Sequence, residues 1–433
     1  MSTRHPRETL AIHGGSPLIT KSFTRNITIG TEEIDSVVRV MSSGNLSQYL
    51  GVWHPDFYGG PTVQEFEASW SRYFQIKNSI AVNSWTSGLI AAVGALGIAP
   101  GDEIIVTPWT MSASATAILH WNAIPVFADI EPDTFCIDVK SIEENISPFT
   151  KAIIAVDIFG QSSDMNAIMS LASKYNLSVI SDTAQSIGAK YFEDFAGTVA
   201  HVGGFSLNYH KHIHTGEGGM LVTNDDQIAE RLRLIRNHAE AVVGPKGETN
   251  LTNMIGYNFR LGEIESAIGI EQLKKLDTFI LEKSEVARRL NAGLANLEGL
   301  NTPVVRMGST HVYYVYAIVL DIISLGVPKR KIFEALIAEG VPSLSCQYQN
   351  LHLLPMYQNK IAYGRSGFPW SAPFYQRKVS YQKGICPVAE RLQDDSYLGI
   401  SLCEYNLSPT DVDLIIAAFQ KVWANINQLR QMH

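Results

Sequence analysis

The chain has 433 residues, of which 45% are hydrophobic and 18% are charged, and its formal net charge at pH 7 is -8. These proportions are typical of a globular protein with a large core, which excludes an intrinsically disordered chain. Nucleic-acid binding normally needs a basic face, so the acidic balance indicates that the protein has no nucleic-acid partner.

The first 15 residues, MSTRHPRETLAIHGG, lack the continuous apolar stretch of a secretion signal. No apolar run in the sequence approaches the roughly 20 residues that a membrane-spanning helix needs. The four cysteines lie far apart and form no CxxC pair, which indicates reduced, mostly buried thiols rather than disulfides or a zinc site. We therefore expect a cytoplasmic protein with no membrane partner.

The segment GTEEIDSVVRVMSSG predicts a first amphipathic helix, with Thr31 as its N-cap and Gly44 at its end. Four apolar side chains are predicted to share one face of this helix: Ile34, Val37, Val38 and Met41.

Between about residue 78 and residue 225, short apolar runs alternate with longer segments of helical composition. The runs that predict buried strands are NSIAVNS, GDEIIVTP, IPVFADI, KAIIAVDIFG, LSVISD and GMLVTND. This alternation predicts a mostly parallel sheet covered by helices. Ligands bind beyond the carboxyl ends of such strands, which makes Asn83, Ser84 and Asp182 candidate site residues.

The stretch VNSWTSGLIAAVGAL predicts a helix that begins directly after a strand. The free N–H groups in the first turn of such a helix form an anion site that suits a phosphate. Simple N-capping by Ser84 or Thr86 explains the same residues equally well. Neither GxxxxGK[ST] nor a GxGxxG fingerprint after a strand is present, so ATP and dinucleotides have no support.

In VISDTAQSIGA, Asp182 closes an apolar run and has two interpretations. It is either the N-cap of a following helix or the partner of a cationic ring nitrogen. In the second case, Gln185 would reach another polar group of the same ligand.

The stretch GGFSLNYHKHIHTGEGG places Lys211 among His210, His212 and His214, between glycine pairs. A desolvated lysine is a nucleophilic amine that forms a Schiff base with an aldehyde. Histidines at alternate positions suggest a metal instead, but no metal signature such as HExxH accompanies them, so we favour the lysine. A third interpretation, which we favour for at least one histidine, is a polar pocket that binds substrate oxygens.

A phosphate-binding helix start, an acid at a strand end and a lysine in a loop together suit pyridoxal 5'-phosphate. The phosphate would bind at the helix, the pyridine ring at Asp182 and the aldehyde at Lys211. Trp109, just after another strand, is a candidate to stack on the ring, although ordinary core packing would also explain it.

Residues 259–300 are predicted to be helical, as two helices broken near Asp277 that bridge two domains. Beyond them, HVYYVYAIVL predicts a strand, PKRKIFEALIAEG a helix and SPTDVDLIIAAFQKVWANINQLRQ a capped final helix. These elements predict a smaller α+β domain. A loop-rich insert that includes Trp370 and Phe374 is expected to form an aromatic wall over the site.

These motifs, in this order, resemble the DegT/DnrJ/EryC1/StrS family of PLP-dependent aminotransferases, which have the fold type I architecture. The resemblance covers nearly the whole chain and includes GGPTVQEFEASWSRYF, PVFADIEPDTFCID, DIFGQSSDM, SDTAQSIGA, FSLNYHKHIHTGEGGMLVTND, GYNFRLGEIESAIGIEQLKKLD, NLHLLPMY and CPVAERL. It implies an α/β fold with a large domain, whose central sheet is mostly parallel, and a smaller C-terminal α+β domain. We expect an N-terminal segment at 1–30, the PLP-binding domain at 31–275 and the small domain at 276–433.

The resemblance also implies roles for individual residues. Lys211, five positions after Ser206, would carry the cofactor covalently. Asp182 would face the pyridine nitrogen, and Gln185 the ring face or its phenolic oxygen. The phosphate would be held by Ser84, Trp85, Thr86 and Ser206. Asn258 would reach the phosphate of a neighbouring subunit, which implies a homodimer with composite active sites.

Members of this family mostly aminate keto-sugars and keto-cyclitols, so we expect transfer from glutamate or glutamine to a nucleotide-linked keto-deoxyhexose in amino-sugar biosynthesis. A keto-cyclitol of the scyllo-inosose type is the alternative acceptor, and LAIHGGSPL is similar to that branch. In the family's sugar dehydratases a histidine replaces the lysine, so the count from Ser206 to Lys211 favours transamination. The expected substrate contacts are Tyr348, His352, His210 and His212. No metal is expected. The family's usual NSGT reads NSWT here.

Overall fold

The computed structural model describes residues 9–430. Its strands are β1 (Asn78–Val82), β2 (Glu103–Val106), β3 (Ile124–Phe127), β4 (Thr150–Val156), β5 (Ser178–Asp182), β6 (Lys190–Tyr191), β7 (Asp194–Phe195), β8 (Val202–Ser206), β9 (Gly219–Thr223), β10 (Leu300–Asn301), β11 (Val315–Leu320), β12 (Leu344–Ser345) and β13 (Tyr397–Ser401).

Its α-helices are α1 (Thr31–Ser43), α2 (Pro61–Phe74), α3 (Trp85–Ala95), α4 (Ala113–His120), α5 (Val139–Asn145), α6 (Met165–Tyr175), α7 (Asp226–Arg236), α8 (Ala239–Lys246), α9 (Glu263–Leu294), α10 (Ile322–Leu325), α11 (Lys329–Ala338), α12 (Pro355–Asn359), α13 (Pro387–Arg391), α14 (Pro409–Ala424) and α15 (Ile426–Arg430). Short 3-10 helices cover Ala11–His13, Pro55–Tyr58 and Leu351–Leu353, and a π-helical turn covers Leu392–Ser396.

The large sheet has seven strands in the order β1-β9-β8-β5-β4-β2-β3. Neighbours from β8 to β3 pair in parallel, and only β9 runs against the others. Almost every residue of these strands is buried, because the apolar runs are covered on both faces. The predicted mostly parallel central sheet is confirmed, and the carboxyl ends of six strands meet at one edge.

The small sheet is antiparallel, in the order β10-β11-β13-β12, and packs with α9, α11 and α14 around a second core. The predicted break near Asp277 is wrong, because α9 runs without interruption from Glu263 to Leu294. Neither glycine nor proline occurs near Asp277, and the buried positions continue past it at Lys283 and Val286. The expected domain boundary at 275 therefore falls inside one helix, and the division into domains stays a prediction.

The first helix begins one residue earlier than expected, since Gly30 rather than Thr31 is its N-cap. The Gly30 N–H donates to the Glu33 carboxylate at 2.7 Å. The helix ends at Gly44, as predicted, where φ is 72°. The apolar face is turned away from the core: Ile34, Val38 and Met41 are 57%, 53% and 60% exposed.

The loop-rich insert lies at the opposite edge of the large sheet from the strand ends that were expected to bind ligand. Tyr375 donates to the Glu103 carboxylate at 2.6 Å, and Tyr381 to the Pro125 carbonyl at 2.7 Å. Both acceptors lie where β2 and β3 begin. Trp370 donates in turn to the Tyr381 hydroxyl at 2.8 Å. The expected aromatic wall over the site is therefore not formed within this chain by Trp370 or Phe374.

Within residues 9–430, all four cysteines are free thiols, and Cys136, Cys386 and Cys403 are buried, as predicted. No helix in that range is both long and apolar enough to cross a membrane.

One buried carboxylate contributes to holding the segment before α1 against α11 and α14. Glu339, which is fully buried, accepts hydrogen bonds from the Ala11 and Leu18 N–H groups at 2.9 and 3.0 Å. It also pairs with Lys421 at 2.9 Å, whose side chain is 8% exposed. The Glu339 carboxylate therefore neutralises the Lys421 ammonium and also accepts hydrogen bonds from two backbone N–H groups.

We predict that Glu339→Ala lowers the free energy of unfolding by about 3–5 kcal/mol, because it removes the carboxylate opposite the Lys421 ammonium, which keeps only the Ser16 carbonyl, and the acceptor of the Ala11 and Leu18 N–H groups. The measurement is denaturant unfolding followed by circular dichroism. Glu334→Ala, which removes an exposed pair with Arg330 on α11, is the control and should cost less than about 1 kcal/mol. Equal losses for the two variants would contradict the prediction.

Candidate active site

The carboxyl ends of the parallel strands open into a cavity of about 380 Å³. Residues from seven separate stretches of sequence meet in it, and nine of the 19 lining residues were predicted from the sequence alone. The predicted residues that line this cavity are Ser84, Trp85, Thr86, Asp182, Gln185, Ser206, His210, Lys211 and Tyr348.

One wall of the cavity is the start of α3. Ser84 is its N-cap, and its Oγ accepts a hydrogen bond from the Ser87 N–H at 3.1 Å. The two interpretations of this turn are therefore compatible: a side chain caps the helix, and the amides that follow still present the positive end of the helix to the cavity. A Cβ at Gly219 would lie 2.7 Å from the Trp85 nitrogen, so glycine allows β9 to pass directly behind this turn.

Asp182 ends β5 and is 4% exposed. Its Oδ1 accepts from Trp85 Nε1 at 2.6 Å and from the Ala184 N–H at 3.3 Å, while its Oδ2 accepts from Ser114 Oγ at 2.7 Å. Burial raises the pKa of this carboxyl, against the effect of these three donors. No helix follows Asp182 directly, so the N-cap interpretation is wrong.

Gln185 is fixed at both ends of its amide group. Its Oε1 accepts from the Phe159 N–H at 3.1 Å, and its Nε2 donates to the Tyr348 hydroxyl at 3.0 Å. The amide therefore links two strand ends and holds the Tyr348 ring at the cavity.

Lys211 follows β8 and is 8% exposed. Its Nζ lies 4.4 Å from the centroid of the Tyr314 ring and 3.4 Å from the Tyr314 hydroxyl. Burial lowers the pKa of Lys211 to about 8, although the nearby Asp182 carboxylate acts in the opposite direction. With this pKa, about a tenth of the amine is uncharged at pH 7, against less than about a thousandth for an ordinary lysine, and the uncharged amine is the nucleophile.

The histidines around Lys211 do not converge on a common point. His212 is buried, and its Nε2 donates to the Val312 carbonyl at 2.8 Å, while His214 Nδ1 accepts from the Gly216 N–H at 3.2 Å. Burial lowers the pKa of His212 to about 4, so its ring is neutral. Across residues 9–430, no group of three or more histidine, cysteine, aspartate or glutamate side chains is arranged to hold a metal ion. The metal interpretation loses its main support.

Four predicted residues lie outside the lining of the cavity. Trp109 is buried behind it and stacks on the Tyr348 ring at 5.5 Å, so its expected contact with the ligand ring is wrong. His352 is fully buried, with Nε2 2.9 Å from Glu390 Oε1. The expected direct substrate contacts of His352 and His212 are therefore also wrong. The fourth residue, Asn258, accepts from Arg260 Nε at 2.7 Å away from this cavity.

Two residues whose side chains contact Asp182 or Lys211 were not predicted. Ser114 donates to Asp182, and Tyr314 lies against Lys211. Ser114 lies in TMSASATA, directly after a predicted strand, which is a weak signal. Tyr314 has no local signal, because it reaches Lys211 from a strand region 103 residues further along the chain.

The chain matches the model of the DegT/DnrJ/EryC1/StrS aminotransferase family over residues 30–397. A GDP-perosamine synthase from Caulobacter vibrioides is 35% identical over 299 residues, 69% of this chain and 79% of the relative. A putative L-glutamine:3-amino-2,3-dideoxy-scyllo-inosose aminotransferase from Streptomyces kanamyceticus is 29% identical over 425 residues, 97% of this chain and 98% of the relative. An X-ray structure of an aminotransferase from Psychrobacter cryohalolentis has a TM-score of 0.79 and 28% identity, covering 94% of this chain and 100% of that one.

The pKa of Lys211 predicts how stability depends on pH in the ligand-free protein. Between the folded value of about 8 and the usual 10.5, the unfolded chain binds more protons at this amine than the folded chain does. The free energy of unfolding should therefore rise with pH in this window, by up to about 1.4 kcal/mol per pH unit, relative to Lys211→Met. Urea unfolding of the two proteins from pH 7 to 10 measures this difference.

Lys151→Met, which removes an exposed lysine, controls for the loss of one positive charge. A difference between the wild type and Lys211→Met that stays constant with pH would show that the amine is not perturbed.

Proposed function

The chain belongs to the DegT/DnrJ/EryC1/StrS aminotransferase family and is a pyridoxal 5'-phosphate-dependent sugar aminotransferase, and we propose that it transfers the amino group of glutamate or glutamine to a nucleotide-linked keto-deoxyhexose. One observation carries the assignment to this cavity. A buried lysine of lowered pKa, a buried carboxylate and the start of a helix line the same space.

The polar groups of the cavity suit each part of this cofactor. The amides at the start of α3, with the hydroxyls of Thr86 and Ser206, would bind the phosphate. Asp182 would hold the protonated ring nitrogen, and Lys211 would bind the aldehyde carbon. When bound, the cofactor supplies an electron sink, which accepts the electron pair of the donor's Cα–H bond when that bond breaks.

Lys211 has two tasks in this proposal. Its uncharged amine would hold the cofactor, and when it is free the same Nζ would take the proton from the donor's Cα. The Tyr314 ring and hydroxyl lie beside Nζ and restrict where that amine can move. Burial of both side chains limits competing proton exchange with water.

The remaining choice concerns the acceptor. A GDP-sugar enzyme is 35% identical to this chain, whereas the inosose aminotransferase is 29% identical but aligns over nearly its whole length. The higher identity favours a sugar nucleotide, and the longer alignment keeps the keto-cyclitol as the second candidate. Dehydration is not favoured, because the residue five positions after Ser206 is Lys211 rather than a histidine.

We propose that two copies of the chain form a dimer with shared active sites. Ile34, Val38 and Met41 form an apolar face on α1 that this chain leaves exposed. Asn258 lies outside the chain's own cavity, which is the position expected of a residue that serves the partner's cofactor.

A cytoplasmic location is also part of the proposal. Its support is the set of free cysteines, three of them buried, in a fold that uses no disulfide within residues 9–430.

The function is tested with holoenzyme by following the visible absorbance of the cofactor. Glutamate or glutamine should convert the cofactor to its aminated form, and a keto-deoxyhexose nucleotide should reverse the change and yield an amino sugar. Lys211→Met should lower turnover at least ~100-fold, because no other side chain replaces its proton transfer. Lys211→Arg, which keeps the positive charge but is not a nucleophile, should be equally inactive.

Borohydride reduction of the wild-type holoenzyme should attach the cofactor to the peptide that contains Lys211. If the enzyme aminates scyllo-inosose but no keto-sugar nucleotide, the acceptor is a keto-cyclitol and not a nucleotide-linked keto-deoxyhexose. Wild-type turnover by Lys211→Met would refute the assignment of the site.

The dimer is tested by mixing Lys211→Met with Asn258→Ala, which we expect to lose activity because it lacks a donor to the partner's phosphate. In a mixed dimer, the Asn258→Ala chain keeps its own Lys211 and receives an intact Asn258 from its partner, so random exchange should restore about a quarter of the wild-type activity. Sedimentation should show Ile34→Glu with Met41→Glu as a monomer, whereas Ile323→Glu, at a position 91% exposed on α10, stays dimeric. Failure of the mixture to regain activity would contradict shared sites.

A further inference from the structure

We propose that Trp85 is a positioning residue, which orients and stabilises the Asp182 carboxylate for the cofactor through its indole N–H. The proposal rests on the proposed function. Its central observation is the 2.6 Å hydrogen bond from Trp85 Nε1 to Asp182 Oδ1, between side chains that are 5% and 4% exposed. The two residues are 97 positions apart in the sequence, at the ends of different strands.

The backbone around Trp85 leaves a slot for the indole. Gly204 of β8 is the register partner of Asp182 on β5, and a Cβ at Gly204 would lie 1.9 Å from Trp85 Cζ3. A Cβ at Gly88, on the first turn of α3, would lie 2.6 Å from Trp85 Cε3.

Neither Gly204 nor Gly88 has a backbone conformation that other residues avoid, and glycine inside a strand or helix is destabilising relative to alanine. The space needed by the indole is therefore the reason for both glycines. Three separated positions act together to bring one N–H group to Asp182.

The indole differs from the other donors at Asp182 in what it can do. Ser114 both donates and accepts hydrogen bonds, so it can serve the carboxylate or the carboxylic acid. The indole N–H only donates, and the remaining donor, the Ala184 N–H, is more distant at 3.3 Å. Burial favours the protonated form of Asp182. A protonated ring nitrogen requires the charged carboxylate opposite it, and Trp85 is the short-range donor that can stabilise only that form.

The alternative is that Trp85 only fills space between α3 and the sheet. In that case Trp85→Phe, which keeps an aromatic ring in the slot, would leave cofactor binding unchanged. If the N–H acts through Asp182, its loss removes a hydrogen bond to a charged group, which corresponds to ~10- to 100-fold in affinity.

The experiment measures the dissociation constant of pyridoxal 5'-phosphate and the pH titration of the bound cofactor's visible band in four proteins: wild type, Trp85→Phe, Asp182→Asn and the double variant. We expect Trp85→Phe to weaken binding ~10- to 100-fold in the wild-type background and to shift the titration midpoint. In the Asp182→Asn background, the same change should alter binding less than about twofold, since no charged carboxylate then remains for the indole N–H to stabilise.

Trp121→Phe is the matched control. Trp121 is also buried, lies against Gly94 of the same helix and donates its indole N–H at 2.7 Å, but to the Ile90 carbonyl. Its loss should leave both the affinity and the titration unchanged. An equal effect of Trp85→Phe with and without Asp182, or no effect at all, would overturn the proposal.

If Trp85→Phe does not fold, incorporation of benzothienylalanine at position 85 replaces the N–H by sulfur and keeps the shape of the indole, and the same two measurements decide. Failure of the wild type itself to bind pyridoxal 5'-phosphate would refute the proposed function instead, so the two failures are distinguishable.

Discussion

A charged carboxylate enclosed at the end of a buried strand is the constraint on which the site depends. Without donors, the pKa of Asp182 would be higher still, because burial penalises the charged form. Trp85 and Ser114 supply those donors from the beginnings of two helices, and both helices can do so because their preceding strands run parallel to β5. The direction of the strands thus determines which side chains can meet.

The same arrangement explains why Lys211 is reactive. It follows β8, the strand paired with β5, so its amine shares the enclosed space with Asp182. Burial lowers the lysine pKa and raises the aspartate pKa, while their opposite charges partly compensate both shifts. Each group therefore limits the pKa shift of the other, so the charge states of Asp182 and Lys211 depend on each other.

Much of the fold and the centre of the site could be predicted, because strand ends are local signals. The turn at Ser84, Asp182 and Lys211 each follow a buried apolar run, and parallel strands bring such positions together. The errors concern side chains whose partners are distant in sequence: Trp109 is covered by Tyr348, and His352 pairs with Glu390. The face of α1 was recognised as apolar, but periodicity alone cannot tell a face that packs on the core from one that the chain leaves exposed.

The slot around Trp85 also restricts how this sequence can change over time. Any side chain at position 204 would overlap the indole, so Gly204 can be replaced only in a background where residue 85 is already small. The reverse order is open, since a smaller residue at position 85 leaves both glycines in place. The substitutions at positions 85 and 204 must therefore occur in a fixed order during evolution. Among many related sequences, a large residue at position 85 or 204 should occur only when the other position is glycine.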